Sequence, residues 1–194
     1  MFDKNTQLKQ LAFAFHPLSE KEWSAFSSIW TERTAKRKEQ LTLTGETEKH
    51  LYFVIEGIQR IYYFDEQNRE ATLVFTYAPS FGGVLDSLLM QQPSKYNYET
   101  LTPSKFLQTP FQELHKLMEE FPAIEKLVRK GVTVSLSGVL DRLVELQSYS
   151  SEERFRKLLK RSPHILQLIP HKYLANYIGI DATNFSKLIN NVRI

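Results

Sequence analysis

The chain has 194 residues, about the size of one large or two small domains. Its 42% hydrophobic and 24% charged residues are those of a globular protein, and no run nears the roughly 20 apolar residues of a spanning helix. With no cysteine, disulfides, thiolate zinc sites, iron–sulfur clusters and a cysteine nucleophile are excluded. Met1-Phe2-Asp3-Lys4-Asn5 lacks a basic stretch followed by an apolar one, so the expected location is cytoplasmic rather than secreted. The formal charge is +3, but it is uneven. Residues 149–194 hold eight basic side chains (Arg154, Arg156, Lys157, Lys160, Arg161, Lys172, Lys187, Arg193) against three acidic ones (Glu152, Glu153, Asp181), giving +5 and leaving −2 elsewhere. A compact basic end fits a phosphate-facing module; a solvated helix face would give the same count.

Residues 8–33 carry helical spacing, first in Leu8, Leu11, Ala12 and Phe15, then in Trp23, Phe26, Ile29 and Trp30. Ser19 with Glu22 forms a capping box between them. From about 36 to 108 the pattern is of short strands separated by turns. Leu51-Tyr52-Phe53-Val54-Ile55 and Arg60-Ile61-Tyr62-Tyr63-Phe64 flank Glu56-Gly57, and Ala71-Thr72-Leu73-Val74-Phe75-Thr76-Tyr77 follows Asp65-Glu66-Gln67-Asn68. Such spacing suggests an antiparallel sandwich or barrel, with its aromatics as core and cross-strand partners.

Thr109-Pro110-Phe111-Gln112 reads as a helix start with Thr109 as N-cap and Gln112 closing a capping box; the helix runs through Glu120. Phe121-Pro122 starts another, and Ala123 to Ser148 would extend about 39 Å as one helix. Val128, Val132, Leu136, Val139, Leu143 and Leu146 form its apolar stripe, beside small residues at Gly131, Ser135 and Gly138. Two glycines in a helix imply close approach of another backbone, read as a partner helix across a dimer interface; the alternative is packing on the chain's own barrel. Ser150 and Glu153 cap a further helix with buried Phe155, Leu158 and Leu159, ending at Ser162-Pro163. Pro170 then opens His171 to Ile178, Gly179 turns the chain, and Asp181 caps Ala182 to Asn191. This is a helix-turn-helix, with Leu174, Ala175 and Ile178 expected against Phe185, Leu188 and Ile189.

In this order the segments resemble the Crp/Fnr family of bacterial transcriptional regulators. The likeness covers about residues 10–194 and rests on Gly45-Glu46-Thr47, Leu51 to Gly57, Phe81-Gly82, the long helix, and Pro170-His171-Lys172-Tyr173-Leu174-Ala175-Asn176-Tyr177-Ile178-Gly179-Ile180. The last segment is similar to a Bacteroidetes-type branch. The resemblance implies an α+β fold class: an N-terminal double-stranded β-helix or jelly roll of cyclic-nucleotide-binding type with flanking helices (1–109), a short helix and a long dimerisation helix (110–148), and a C-terminal helix-turn-helix lacking a full wing (149–194). The dimer helix would use Val128, Gly131, Val132, Ser135, Gly138 and Val139.

Two departures from the family bear on function. Members that bind cyclic AMP carry a carboxylate after the Phe-Gly turn and a nearby Arg-Ser pair. Here Gly83 follows Phe81-Gly82, and the downstream segment reads Gln92-Pro93-Ser94-Lys95-Tyr96-Asn97. Lys95 cannot supply the bidentate pairing of arginine. The expected effector pocket is therefore Phe81, Gly82, Gly83, Ser94, Lys95, Tyr96 and Asn97, holding an unidentified effector rather than cyclic AMP, and no cofactor or metal is expected. In the recognition helix, Asp181, Ala182, Thr183 and Lys187 stand where better-known members have Ser, Arg, Glu and Arg, so base readout would differ. The DNA-binding residues expected from this likeness are Lys172, Thr183, Asn184, Ser186, Lys187, Asn190, Asn191 and Arg193, with His171, Arg154 or Lys157 adding phosphate contacts.

The sequence thus points to a homodimeric regulator that binds double-stranded DNA, with RNA polymerase as a further expected partner and no membrane. The alternative is a sensing or interaction module whose helix-turn-helix no longer binds DNA. An enzyme is not expected, because no Ser/His/Asp triad, P-loop or dinucleotide fingerprint is present.

Overall fold

The protein is represented by a computed structural model that describes residues 4–67 and 69–191. The first half runs α1 (Lys4–Phe15), α2 (Glu20–Ser28), β1 (Thr31–Ala35), β2 (Gln40–Thr42), β3 (His50–Glu56), β4 (Ile58–Phe64), β5 (Glu70–Tyr77), β6 (Ser80–Gly82), α3 (Leu85–Met90), β7 (Asn97–Thr100) and β8 (Ser104–Pro110). Helices complete it: α4 (Phe111–Glu120), α5 (Pro122–Ser148), α6 (Ser151–Arg161), α7 (Ile165–Leu168), α8 (His171–Tyr177) and α9 (Ala182–Asn191). The expected α+β class, with a β-roll, flanking helices and a long helix after it, is the fold observed. Among the described residues no helix is long and apolar enough to cross a membrane.

The strands form two four-stranded sheets, ordered β1-β8-β3-β6 and β2-β7-β4-β5. β3 shows why both faces of the first sheet are apolar. Leu51 and Phe53 join a core with Leu8, Phe26, Leu114 and Ile124 of the helices, while Tyr52 and Val54 join Tyr98, Phe106 and Val84 inside the roll. Period-two alternation here separates two cores.

Local signals set most helix ends. The Ser19 amide donates to the Glu22 carboxylate at 2.7 Å, and the Glu22 amide donates back to the Ser19 hydroxyl; Ser150 and Glu153 repeat the arrangement. Pro122 opens α5, a helix of 27 residues and about 40 Å. Two sequence expectations are corrected. Helical spacing through residue 33 overran a strand, because Thr31–Ala35 pairs antiparallel with β8, Thr31 facing Gln108 and Ala35 facing Ser104. The N-cap of α4 is Pro110 with no side-chain cap, not Thr109. Thr109 is held in β8 opposite Leu51, so it is extended, buried and unable to turn into the helix.

The chain divides into two compact units, one made of the segments up to Ile61 and from Phe75 to Ser135, the other of Tyr62–Val74 and Leu136 onward. Within the second, Phe155 and Phe185 meet edge to face with centroids 5.4 Å apart, and Leu174, Ala175 and Ile178 are buried beside them, with Leu188 and Ile189 half-buried on α9. Asn176 clasps the backbone of the β4–β5 hairpin, accepting from the Thr72 amide and donating to the Glu70 carbonyl. Arg142 and Glu145 of α5 form a buried ion pair at 2.9 Å, joined by Arg161 and by a bond from Arg142 to the Tyr177 carbonyl.

Gly57, in the turn between β3 and β4, has φ +93°, and a Cβ there would lie 2.4 Å from Ser104 Oγ and 2.6 Å from the Pro103 carbonyl oxygen. Positive φ and backbone contact act together, so Gly57→Ala should cost about 2–4 kcal/mol. Urea unfolding followed by circular dichroism checks this: an unchanged midpoint would contradict the turn geometry.

Candidate functional site

The seven residues expected to form an effector pocket fall into three environments. Phe81 turns toward the helices, its ring 6.0 Å from Phe15, 6.0 Å from Trp30 and 5.6 Å from Phe53. Gly82 and Gly83 border the roll interior. A Cβ on Gly82 would lie 2.4 Å from the Tyr98 hydroxyl, and one on Gly83, at φ +116°, would lie 3.1 Å from the His50 carbonyl oxygen and 3.6 Å from Glu48 Oε2. Ser94 to Asn97 instead tie down the turn before β3. The Ser94 amide donates to the Glu46 carbonyl, its carbonyl accepts from the Gly45 amide, and Asn97 Oδ1 accepts from the Thr44 amide at 3.0 Å. The Ser94 hydroxyl is used on Tyr96, and Lys95 is exposed.

The glycine pair is spent on the chain's own side chains. Tyr98 is fully buried against Tyr52, and its hydroxyl lies 3.0 Å from Thr76 Oγ1. Glu48, 1% exposed, accepts from the Thr42 hydroxyl at 2.5 Å, the Lys49 amide at 3.0 Å, the His50 amide at 3.2 Å and the Val84 amide at 3.3 Å. A carboxylate so placed does what a bound anion would do, satisfying amides at the bend into α3. Burial pushes the Glu48 carboxyl above its ordinary range in spite of these donors, and burial holds the His50 imidazole below its own. A second buried carboxylate, Glu99, is met by Arg60 at 2.6 Å and Lys38 at 2.9 Å. Glu48, Tyr52 and Tyr98 escape sequence reading, because an isolated acid before a strand and aromatics within strands carry no local signature of a filled pocket.

In the second unit, the turn between α8 and α9 places Gly179 at φ +66° and caps α9 with Asp181, whose Oδ1 accepts from the Asn184 amide at 2.8 Å. Phe185 is buried, whereas Thr183, Asn184, Ser186, Lys187, Asn190 and Asn191 are exposed on α9. Their freedom differs. The Asn184 side chain donates to Asp181 Oδ2 at 3.1 Å and the Ser186 hydroxyl to the Ala182 carbonyl at 3.0 Å. Lys172 on α8 is exposed, with its ammonium 4.7 Å from the Tyr173 ring centroid. Arg193 lies outside the described residues. Of the additional phosphate candidates, His171 is exposed, Arg154 donates to the Leu146 carbonyl at 3.1 Å, and Lys157 donates to the Tyr149 hydroxyl at 3.1 Å.

The dimer-helix residues also separate. Val128 and Val132 are half-buried, and a Cβ on Gly131 would meet the Phe15 ring at 3.4 Å, so this glycine accommodates the chain's own α1. A Cβ on Gly138 would meet no described residue within 4 Å beyond its chain neighbours and its own helix backbone. Ser135 and Val139 are exposed, and Val134, Leu136, Leu140, Leu143, Val144 and Leu146 leave 40–57% of their surface open on the same helix. So long an apolar face on one helix is unusual for an isolated chain.

Because Glu48 titrates above its unfolded value, the protonated form is favoured on folding. That contribution is complete below the ordinary carboxyl pKa of 4.5 and is lost as pH rises from there through the raised folded value. In Glu48→Gln the pH-dependent part should vanish. The stability of wild type minus variant, from urea titrations between pH 4 and 8, should therefore fall with rising pH and then level; a flat difference would mean Glu48 is not shifted upward.

Residues 32–121 match the cyclic nucleotide-binding domain family. Over 172 residues the chain is 20% identical to a global nitrogen regulator of Synechocystis sp., covering 82% of this chain and 76% of that protein. Among solved structures it is similar to FixK2 of Bradyrhizobium japonicum, with a TM-score of 0.76 at 15% identity over 84% of this chain and 83% of that one. It is also similar to a Eubacterium rectale protein described as a transcriptional regulator of the Crp/Fnr family, with a TM-score of 0.71 at 14% identity over 89% and 82% of the two chains. Residues 32–121 thus match the cyclic nucleotide-binding domain family, in a chain whose structural neighbours include a regulator described as one of the Crp/Fnr family.

Proposed function

We propose that the protein is a cytoplasmic transcription regulator of the Crp/Fnr type that binds double-stranded DNA as a homodimer, places α9 in the major groove, and is controlled through its cyclic nucleotide-binding domain. The observation that carries this reading is α9 itself: a helix anchored by Phe185 and capped by Asp181 that presents Thr183, Lys187, Asn190 and Asn191 outward together. Lysine can donate to guanine, asparagine can pair bidentately with adenine, and threonine can meet a thymine methyl. Lys172 and Arg193 would add phosphate contacts that position without specifying. Asn184 and Ser186 contribute less than the sequence implies, because their side chains bond within the helix. Resemblance of Pro170–Ile180 to the Bacteroidetes-type branch and the named regulators among the relatives support the same reading, with RNA polymerase as the further partner.

Self-association would use the apolar face of α5, with half-sites about one DNA turn apart. Cyclic AMP is not the effector in this reading. The glycine turn faces Tyr98 and Glu48 rather than an open cavity, and Glu48 already occupies the amide donors an incoming phosphate would need.

The deciding experiment is selection of fragments from sheared genomic DNA by the purified protein at low and near-physiological salt. A palindromic motif that survives the higher salt is expected; enrichment without a motif, or none, would favour a non-DNA-binding sensor. Lys187→Glu should weaken binding to that motif at least tenfold or so, read by fluorescence anisotropy, and an unchanged affinity would remove α9 from the interface. Gly138→Leu has room within its own chain and gains helix propensity, so it should leave the fold intact while separating the dimer. Light scattering showing an undisturbed dimer would place the interface elsewhere. Calorimetric titration with cyclic AMP should show no submicromolar binding; tight binding would overturn the self-filled roll.

A further inference from the structure

Strand β5 stands at the edge of its sheet beside β4, and a sheet edge offers backbone groups to whatever approaches. Here the approaching group is a side chain of α8. Asn176 Oδ1 accepts from the Thr72 amide and its Nδ2 donates to the Glu70 carbonyl, so one carboxamide makes the pair of bonds that a residue of a further strand would make. The hairpin segment Tyr62–Val74 and the helices from Leu136 onward belong to the same compact unit. Two properties of this contact bear on nucleic acid. The first is its position. Lys172, the phosphate candidate on α8, precedes Asn176 by four residues, so the two lie on one side of the helix, about one 5.4 Å turn apart. The first helix of a helix-turn-helix crosses the DNA backbone, beside a major groove about 12 Å wide, so a duplex whose phosphates reach Lys172 also reaches the hairpin. The second is charge. Residues 62–74 hold Asp65, Glu66 and Glu70 against Arg69, a net −2, whereas residues 149–194 carry +5. The hairpin thus docks on the basic segment with the sign of charge that a nucleic-acid backbone would bring, and it repels such a backbone.

We propose that the β4–β5 hairpin is an autoinhibitory latch: clasped by Asn176, it covers the side of α8 that carries Lys172, and DNA binds only when the clasp opens. The inference rests on the DNA-binding function proposed above. Asn176 holds the hairpin by two neutral hydrogen bonds, which water can replace at small net cost. α8 has a separate hold on α5, because Arg142 donates to the Tyr177 carbonyl and its guanidinium lies 4.3 Å from the Tyr177 ring centroid. Opening the clasp therefore frees the hairpin while α8 keeps its seat on α5. Clasped and DNA-bound forms exclude each other, so DNA shifts the population toward the open form, and whatever loosens the clasp strengthens DNA binding.

The test uses the full chain, its Asn176→Ala variant and a fluorescein-labelled DNA duplex of random sequence at low salt, where phosphate contacts dominate. Asn176→Ala changes no charge, so a gain in affinity cannot come from simple attraction. Anisotropy should show the variant binding about five- to tenfold tighter than wild type. Hydrogen exchange read by mass spectrometry on the peptide containing Thr72 supplies the second measurement. That peptide should be protected in free wild type, and it should exchange faster when saturating duplex is added and in the DNA-free variant. The wild-type exchange experiment stands even if Asn176→Ala misfolds. Protection that persists with DNA bound, or a folded variant that binds no tighter than wild type, would overturn the latch and leave the DNA-binding reading in place. No binding of the duplex by either protein would instead overturn the DNA-binding reading, and the latch with it.

Discussion

A carboxylate withdrawn from water must be met by donors, and the arrangement around Glu48 follows from that requirement. Its two oxygens gather the Thr42 hydroxyl and the amides of Lys49, His50 and Val84, while its own amide donates to Ser87 Oγ. One side chain thus joins β2, the start of β3 and the bend into α3. Gly83 permits this, since its positive φ brings the bend close to the carboxylate and to the His50 carbonyl. Remove the acid and the amides of Lys49, His50 and Val84 lose their acceptor together.

The same economy holds between the two sheets of the roll. Gly82 leaves a space that the Tyr98 hydroxyl takes, Tyr52 packs at a tilt against both Tyr98 and Phe106, and Thr76 satisfies the phenol. Burial pushes the Tyr98 hydroxyl's pKa up, so this phenol stays neutral inside the roll. An apolar cleft lies on the other side of β6, where Phe81 faces the helices.

In the second unit, polar contacts fix the position of α8. Asn176 mimics a strand's backbone by bonding both Thr72 and Glu70, and Arg142 binds Glu145 as well as the Tyr177 carbonyl while its guanidinium lies 4.3 Å from the Tyr177 ring centroid. These contacts hold α8 by its inner side. Among the described residues, the side chains of Asn184 and Ser186 bond within the α9 end, while Lys187 and Asn190 stay exposed on its outer side.

Features that depend on neighbours a few residues away were legible in the chain alone: the capping boxes at Ser19 and Ser150, the restart at Pro122, the turn at Gly179 with its Asp181 cap, and the alternation in Leu51–Ile55. Their physics is short-range hydrogen bonding and side-chain periodicity. Only the tertiary structure decided the rest. Thr31–Ala35 is a strand because β8, more than seventy residues on, offers it an edge. Thr109 is no cap because the same strand holds it extended. Gly131 lies against Phe15 of the chain's own α1, and Gly82 makes room for Tyr98. Asn176 bonds a hairpin 104 and 106 residues before it. Each depends on which distant group arrives at a given surface, and no local pattern encodes that arrival.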